Sequence, residues 1–299
     1  MSSRRRRAPG VLATKTAALV FVATAIVVVV VVDASRPWSR SVNGAFPFDG
    51  KGACGVPKYS IEELDVAAFS RTFRAAETPV VITGLGRARE RFRELVERSR
   101  IMEAYGNVEV TLSSSNTFSY AKRRKTLRDY IEEDLDIGED LLKLGADEVW
   151  YWFGDHVRED GVNAFQKLFD EYENLPYIPE SADTAYSFGV GGPGSGVPMH
   201  VHGPGWSESI IGRKHWFLAA PDANPDFEPN VTAYRWARDA KKLGKLDGVH
   251  ILECTVDEGE AIYFPNMWWH ATLNLDESVF ISSFVNYKLS GEARRDGEL

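Results

Sequence analysis

Three of the six histidines stand where they can act together. His200 and His202 are separated by one residue. On a strand, side chains i and i+2 share a face, so both imidazoles can point into the interior of a barrel. His270 follows much later, directly after Phe264-Pro265-Asn266-Met267-Trp268-Trp269. An imidazole pair from one strand and a third imidazole from a distant antiparallel strand form the donor set of a mononuclear metal site. Imidazole suits iron, zinc, copper and nickel alike. His156, His215 and His250 lack such company and read as ordinary polar residues. Lys214, twelve residues beyond His202, is the second chemical feature. Inside a barrel its charge is costly to bury unless an anion pairs with it, and a bound dicarboxylate supplies one. Facing solvent, it is one member of the basic cluster Arg213-Lys214-His215. The residues alone leave both placements open.

The elements that must position these groups are mostly short strands. After Tyr177, β-rich runs at 186–190, 199–202, 209–218, 251–256, 261–264, 270–275 and 279–285 are separated by turn residues. A glycine-rich loop at 191–196 and one helix at about 234–243 interrupt them. Many short strands at near-regular spacing predict a jelly-roll or barrel. Upstream the pattern is mixed. Ser60-Ile61-Glu62-Glu63 fits a capping box, with Leu64, Ala67, Ala68 and Phe69 at helical spacing behind it. A short apolar strand at 79–85, a charged helix at 90–105, a strand at 108–112, a helix at 126–135, an aromatic strand at 149–153 and a helix near 162–172 follow. The expected fold class is α+β, mainly β, with a barrel core and N-terminal and inserted helices.

Of the 299 residues, 44% are hydrophobic and 26% charged, which is globular composition and excludes wholesale disorder. The net charge of −8 is unevenly spread. Residues 1–32 carry Arg4, Arg5, Arg6, Arg7 and Lys15 and no acid, while the rest of the chain carries −13. A body that acidic repels phosphate backbones, so nucleic acid is not an expected partner. Residues 1–16 form a basic segment, and the uncharged residues 17–32, ending in six successive valines, read as a hydrophobic targeting helix. This is a signal anchor with its basic end in the cytoplasm, or a signal peptide cleaved after Ala34. Either way the body is expected on the luminal side, in contact with the membrane only through that helix if it is uncleaved. Residues 33–55, rich in glycine and proline, read as a linker.

Two further features agree with a secretory address. Asn230-Val231-Thr232 is a glycosylation sequon. The chain ends Asp296-Gly297-Glu298-Leu299, which shares its last two residues with the Lys-Asp-Glu-Leu retention signal of the endoplasmic reticulum. Two cysteines are too few for a disulfide scaffold. In an oxidising lumen Cys54 and Cys254 can pair with each other; otherwise they are two free thiols.

Residues 189–284 resemble the JmjC domain, a cupin-fold family of Fe(II)- and 2-oxoglutarate-dependent oxygenases. The resemblance rests on His200-Val201-His202, on Gly212-Arg213-Lys214-His215-Trp216-Phe217-Leu218 with Pro221, on Gly259-Glu260-Ala261-Ile262-Tyr263-Phe264-Pro265, and on Trp268-Trp269-His270 with Asn274. With the strand at 79–85 it extends over residues 56–288, leaving 289–299 as a C-terminal tail. A luminal branch of the family shares the stretch from Ser195 to Gly205 and the sequon at Asn230. The resemblance implies a double-stranded β-helix core, with His200 and His270 as iron ligands and His202 as the third. It implies Lys214 as partner of the distal carboxylate of 2-oxoglutarate and Asn274 near the metal-bound end of that cosubstrate. Trp268 and Trp269 would pack the barrel wall.

The chain departs from the family pattern twice. His202 stands where the family usually has Asp or Glu, so three neutral imidazoles leave the metal's charge uncompensated; such a set also binds zinc with an open fourth position. Val197 stands where the family often has a threonine that hydrogen-bonds the distal carboxylate. A lost hydrogen bond of that kind costs about 1.5–3 kcal/mol. Tyr186, Ser187 and Ser207 are candidate replacements. Two readings follow: an oxygenase acting on a luminal protein, with Fe(II) and 2-oxoglutarate, or an inactive fold that binds a protein partner with structural zinc or no metal. Histone demethylation does not suit a luminal body.

Overall fold

The computed structural model describes residues 36–39, 54–136, 144–146, 148–154, 161–242 and 250–287. The targeting helix expected at 17–32, the tail at 289–299 and His156 lie outside the described residues. Among the described residues no helix is long and apolar enough to cross a membrane.

Two facing sheets build the core. The larger contains β1 (Lys58–Ser60), β2 (Val80–Thr83), β3 (Glu109–Ser114), β4 (Lys122–Thr126), β5 (Trp150–Phe153), β6 (Asp183–Gly191), β7 (Gly205–Ile211), β10 (Glu260–Phe264) and β12 (Ser278–Asn286), in the order β1-β2-β10-β7-β12-β6-β5-β3-β4. The smaller contains β8 (Lys214–Ala219), β9 (Ile251–Val256) and β11 (Trp269–Asn274), in the order β11-β8-β9. Neighbours are antiparallel throughout except β1 with β2. This is the expected jelly-roll. Burying one face of each sheet against the other supplies the driving force for the sandwich.

The strand expected at 209–218 is in fact two. Gly212 adopts a left-handed φ of 74°, and a Cβ there would lie 2.6 Å from the Glu277 carbonyl oxygen. The chain therefore leaves β7 in one sheet and enters β8 in the other. Arg213, at the corner, holds Asp276 through two hydrogen bonds of 2.7 and 3.0 Å. The break also changes the parity of the inward positions, from odd numbers in β7 (Ser207) to even numbers in β8 (Lys214, Trp216).

The helices ahead of β6 are shorter than the sequence suggests, while the one expected at 234–243 keeps its length. The span 90–105 divides into α2 (Glu90–Leu95) and α3 (Arg98–Tyr105) around Val96, whose carbonyl accepts from the Trp38 indole at 2.9 Å. The capping box exists, with Ser60 and Glu63 exchanging hydrogen bonds of 3.0 and 3.2 Å, but it closes a turn. The helix behind it, α1 (Val66–Phe69), is capped by Asp65 instead. α4 (Leu127–Glu133) is capped by Thr126; α5 (Gln166–Phe169) occupies one turn of the span 162–172; α6 (Ala233–Lys242) begins one residue after Thr232. Residues 36–39, within the stretch read as linker, lie against this body: Trp38 is buried and Arg36 grips Glu277 at 2.7 and 2.9 Å. Cys54 and Cys254 form a disulfide, Cα to Cα 4.2 Å, which fastens residue 54 to β9. Asn230 is exposed in a turn just ahead of α6.

Candidate metal centre

His200 is held in place by β11 rather than by a strand of its own. The run expected as a strand at 199–202 forms only a single bridge, in which His200 and His270 exchange backbone hydrogen bonds of 3.0 Å. The glycine-rich stretch before it lies along β11 as an irregular neighbour. Gly194 donates to the Asn274 carbonyl, Asn274 to Ser195, and Thr272 to Val197, at 2.8 to 2.9 Å. Gly196 makes this approach possible, because a Cβ there would sit 2.0 Å from the Thr272 carbonyl oxygen. Met267 donates to the His202 carbonyl at 3.0 Å and fixes the other end.

The three imidazoles converge. One nitrogen from each ring lies within 4.8 Å of one from each of the others. Each Nδ1 faces a backbone carbonyl at 2.8 Å: Pro198 for His200, Gly203 for His202, Trp268 for His270. A carbonyl can only accept, so each Nδ1 carries the proton and each Nε2 keeps its lone pair. The Nε2 atoms of His202 and His270 stand 3.0 Å apart. Two nitrogens at about 2.1 Å from one ion, near a right angle, are separated by about that distance. Burial, reinforced by the neighbouring imidazoles, holds His200 down to about 4 and His270 well below the usual histidine value; burial lowers His202 as well. Neutral, convergent and oriented by their backbone partners, the rings suit a divalent cation. Among the described residues this is the one such cluster.

A cavity opens onto the three rings and also onto Lys214 and Asn274. Alternation explains who lines it: His270, Thr272 and Asn274 on β11, Lys214 and Trp216 on β8, Phe280, Ser282 and Phe284 on β12. Lys214 is 4% exposed and points inward, not to solvent. Its Nζ lies 3.2 Å from the centre of the Phe280 ring, and no ion pair reaches it among the described residues. Burial pushes this ammonium down to about 7. Asn274 is fully buried; its Nδ2 donates to Ser195 Oγ at 2.9 Å, and its Oδ1 has no partner.

Of the three hydroxyls proposed to replace the missing threonine, Ser207 borders the cavity, while Tyr186 donates to Asn174 at 2.7 Å and Ser187 does not line it. Thr272, Ser282 and Tyr151 border it unforeseen. Thr272 and Ser282 were legible from alternation, since each sits two residues from a lining neighbour on its strand. Three aromatic rings pack directly on the ligands. Trp216 and Phe264 stack on His270 at 5.7 and 5.3 Å, and Phe284 meets His202 edge-on at 5.0 Å. Trp268 and Trp269 pack against the wall as expected, Trp268 on the cluster of Trp216 and Phe264 and Trp269 on that of Phe217 and Ala271; the Trp268 indole also donates to the Glu77 carbonyl, and Trp269 meets Phe227. His215 lies in a cross-strand network with Thr255 and Glu253, at 2.9 and 3.1 Å.

A family model described as a Cupin-like domain matches residues 66–288. The human protein "JmjC domain-containing protein 8" is 43% identical over 223 residues, 75% of this chain and 81% of that protein. The human "2-oxoglutarate and iron-dependent oxygenase JMJD4" is 27% identical over 209 residues, 62% of this chain and 49% of that protein. The Caenorhabditis briggsae "Bifunctional arginine demethylase and lysyl-hydroxylase psr-1" is 21% identical over 261 residues, 78% and 61% of the two chains.

Proposed function

The chain belongs to the cupin-like JmjC family, and on that footing we propose that it is an iron- and 2-oxoglutarate-dependent oxygenase of the protein-hydroxylase type in the lumen of the endoplasmic reticulum. The observation that carries the reading is the sharing of one cavity by three convergent imidazoles and a buried lysine with no acid beside it. His200, His202 and His270 would hold Fe(II). Lys214 would take the distal carboxylate of 2-oxoglutarate, and Asn274 would lie near its metal-bound end. Bound iron and 2-oxoglutarate supply the oxidising power, drawn from dioxygen as the keto acid becomes succinate. The relative named for that dependence, JMJD4, supports the cofactor pair.

The protein's own contribution is charge, orientation and dryness. Three neutral donors leave the ion's full charge in place, and Lys214 adds another, so the cavity demands a dianion. Thr272 Oγ1 already accepts from the Val197 N–H at 3.2 Å, which leaves its hydroxyl proton to offer where the Val197 side chain has none. Phe264, Phe280 and Phe284 exclude water from the walls.

Three features support the luminal address. The disulfide between Cys54 and Cys254 suits an oxidising compartment, Asn230 is exposed for glycosylation, and residues 17–32 are apolar behind a basic end. N-terminal sequencing of the mature chain separates a single-pass anchor from a cleaved peptide.

Purified mature chain with Fe(II) and 2-oxoglutarate should form succinate faster than its His200→Ala variant. Binding of both without succinate would replace this reading with the second, a protein-binding platform, which His202 and Val197 favour over a standard oxygenase site.

A further inference from the structure

Resting on the oxygenase reading, we infer that the mouth of the cavity docks an extended, unfolded segment of polypeptide that lays apolar side chains on Phe118, Tyr120 and Met267. Six large apolar side chains are exposed among the described residues, and these are three of them, at 60%, 67% and 41%. Each is tied to a residue that lines the cavity. Phe118 and Tyr120 flank Ser119, whose Oγ lies 2.8 Å from the hydroxyl of cavity residue Tyr151. The turn between them is anchored from both sides: Thr117 Oγ1 donates to the Met199 carbonyl, next to His200, and the buried Asn116 accepts from the Tyr120 N–H. Met267 hangs from the carbonyl of His202.

These side chains are held outward at a cost. Ser119 and Met267 are two of four non-glycine residues with positive φ among the described residues, at 49° and 57°. Such backbone strain is rarely spent on holding apolar groups in water, and its occurrence at both of these anchors points to a partner that covers them. The two rings also pack together, centroids 5.2 Å apart, forming a prearranged platform.

The depth of the centre selects the partner. His200 and His202 are half-buried, while His270 is 2% exposed and Lys214 4%, in a cavity that Phe153, Phe264 and Phe284 also line. A side chain on a folded surface has its flanks in the way. A side chain on an extended backbone reaches inward while its neighbours lie across the rim. The substrate class is therefore unfolded polypeptide with an aromatic or aliphatic residue flanking the one that enters.

Fluorescence anisotropy of the mature chain with reduced, carboxymethylated α-lactalbumin, a permanently unfolded probe, tests this. Phe118→Ser with Tyr120→Ser should weaken binding about tenfold or more, and Met267→Ser by about threefold, while Phe118→Trp keeps it. Native, folded α-lactalbumin should not compete. The affinity for 2-oxoglutarate, set inside the cavity, should be the same across the series. Binding unchanged within about twofold in the double variant, equal competition by the folded probe, or a wild-type dimer that the double variant dissolves would overturn the inference. Absent succinate formation with probe binding intact would refute the oxygenase reading alone; intact succinate formation with probe binding indifferent to the rim would refute the docking surface alone.

Discussion

His202 and His270 face each other nitrogen to nitrogen at 3.0 Å, and neither has a proton to give the other. Two opposed lone pairs at that distance repel unless a cation lies between them. His202→Leu should therefore remove more than the about 10–100-fold in metal affinity that is lost when a mere supporting partner is removed. His202→Asp should keep the ion while lowering the site's charge, and so weaken 2-oxoglutarate binding. Metal analysis of the purified variants reads the first; equal metal content in His202→Leu and wild type would exclude a three-histidine site.

Lys214 gives the pH dependence its sign. Its folded value, about 7, lies below the ordinary 10.5, through burial. Between those values the unfolded chain carries a proton that the folded chain has shed, so without an anion stability should rise with pH across that window. Binding of a dicarboxylate needs the charged amine. Affinity for 2-oxoglutarate should hold below about pH 7 and fall above it by up to about tenfold per unit. Lys214→Met should abolish that slope and cost about 30-fold or more in affinity, the loss expected when one partner of a buried charge pair is removed. Calorimetric titration across this range checks both; a flat profile in the wild type would contradict the assignment.

Gly196 should tolerate no side chain. An added Cβ at 2.0 Å from the Thr272 carbonyl oxygen meets backbone, which yields only by pulling the 194–200 stretch away from β11. Gly196→Ala should cost about 1–3 kcal/mol in urea unfolding and lose metal as His200 moves. Gly203→Ala is the control, with nothing within 4 Å of its added Cβ, and should change stability by less than about 0.5 kcal/mol.

Removing the disulfide should loosen the metal wall as well as the chain. Cys254 shares a buried cluster with Trp216 and Phe264, the two rings stacked on His270. Cys54→Ser with Cys254→Ser should cost about 2–5 kcal/mol, seen as a lower urea midpoint, and should speed metal release to a chelator. An unchanged midpoint would show that the bond constrains nothing.

The barrel strands could be read because each is a short run rich in apolar, β-branched and aromatic residues bounded by turn residues. β9 runs over Ile251–Val256, as its pattern predicts. β4 could not, since Lys122, Arg123, Arg124 and Lys125 offer no apolar period; it is a sheet edge, where charge is the usual protection. The break between α2 and α3 did leave a signal: Phe92 and Val96 set a phase that Ile101 and Met102 do not continue. At the site, the spacing of His200, His202 and His270 foretold convergence, whereas inward placement of Lys214 depended on the corner at Gly212. The rim residues carry no sequence signal, because exposed Phe118, Tyr120 and Met267 look like core residues until the fold leaves them outside.

β12 carries two kinds of surface on one strand. Phe280, Ser282 and Phe284 line the cavity, while Val279 and Ile281 belong to the opposite core. Because pleating alternates strictly, inserting or deleting one codon inside this segment would trade the two sets. The pocket would be papered with aliphatic groups and the serines driven into oil. Natural variation in this strand should accordingly come as replacements in place, never as changes in length.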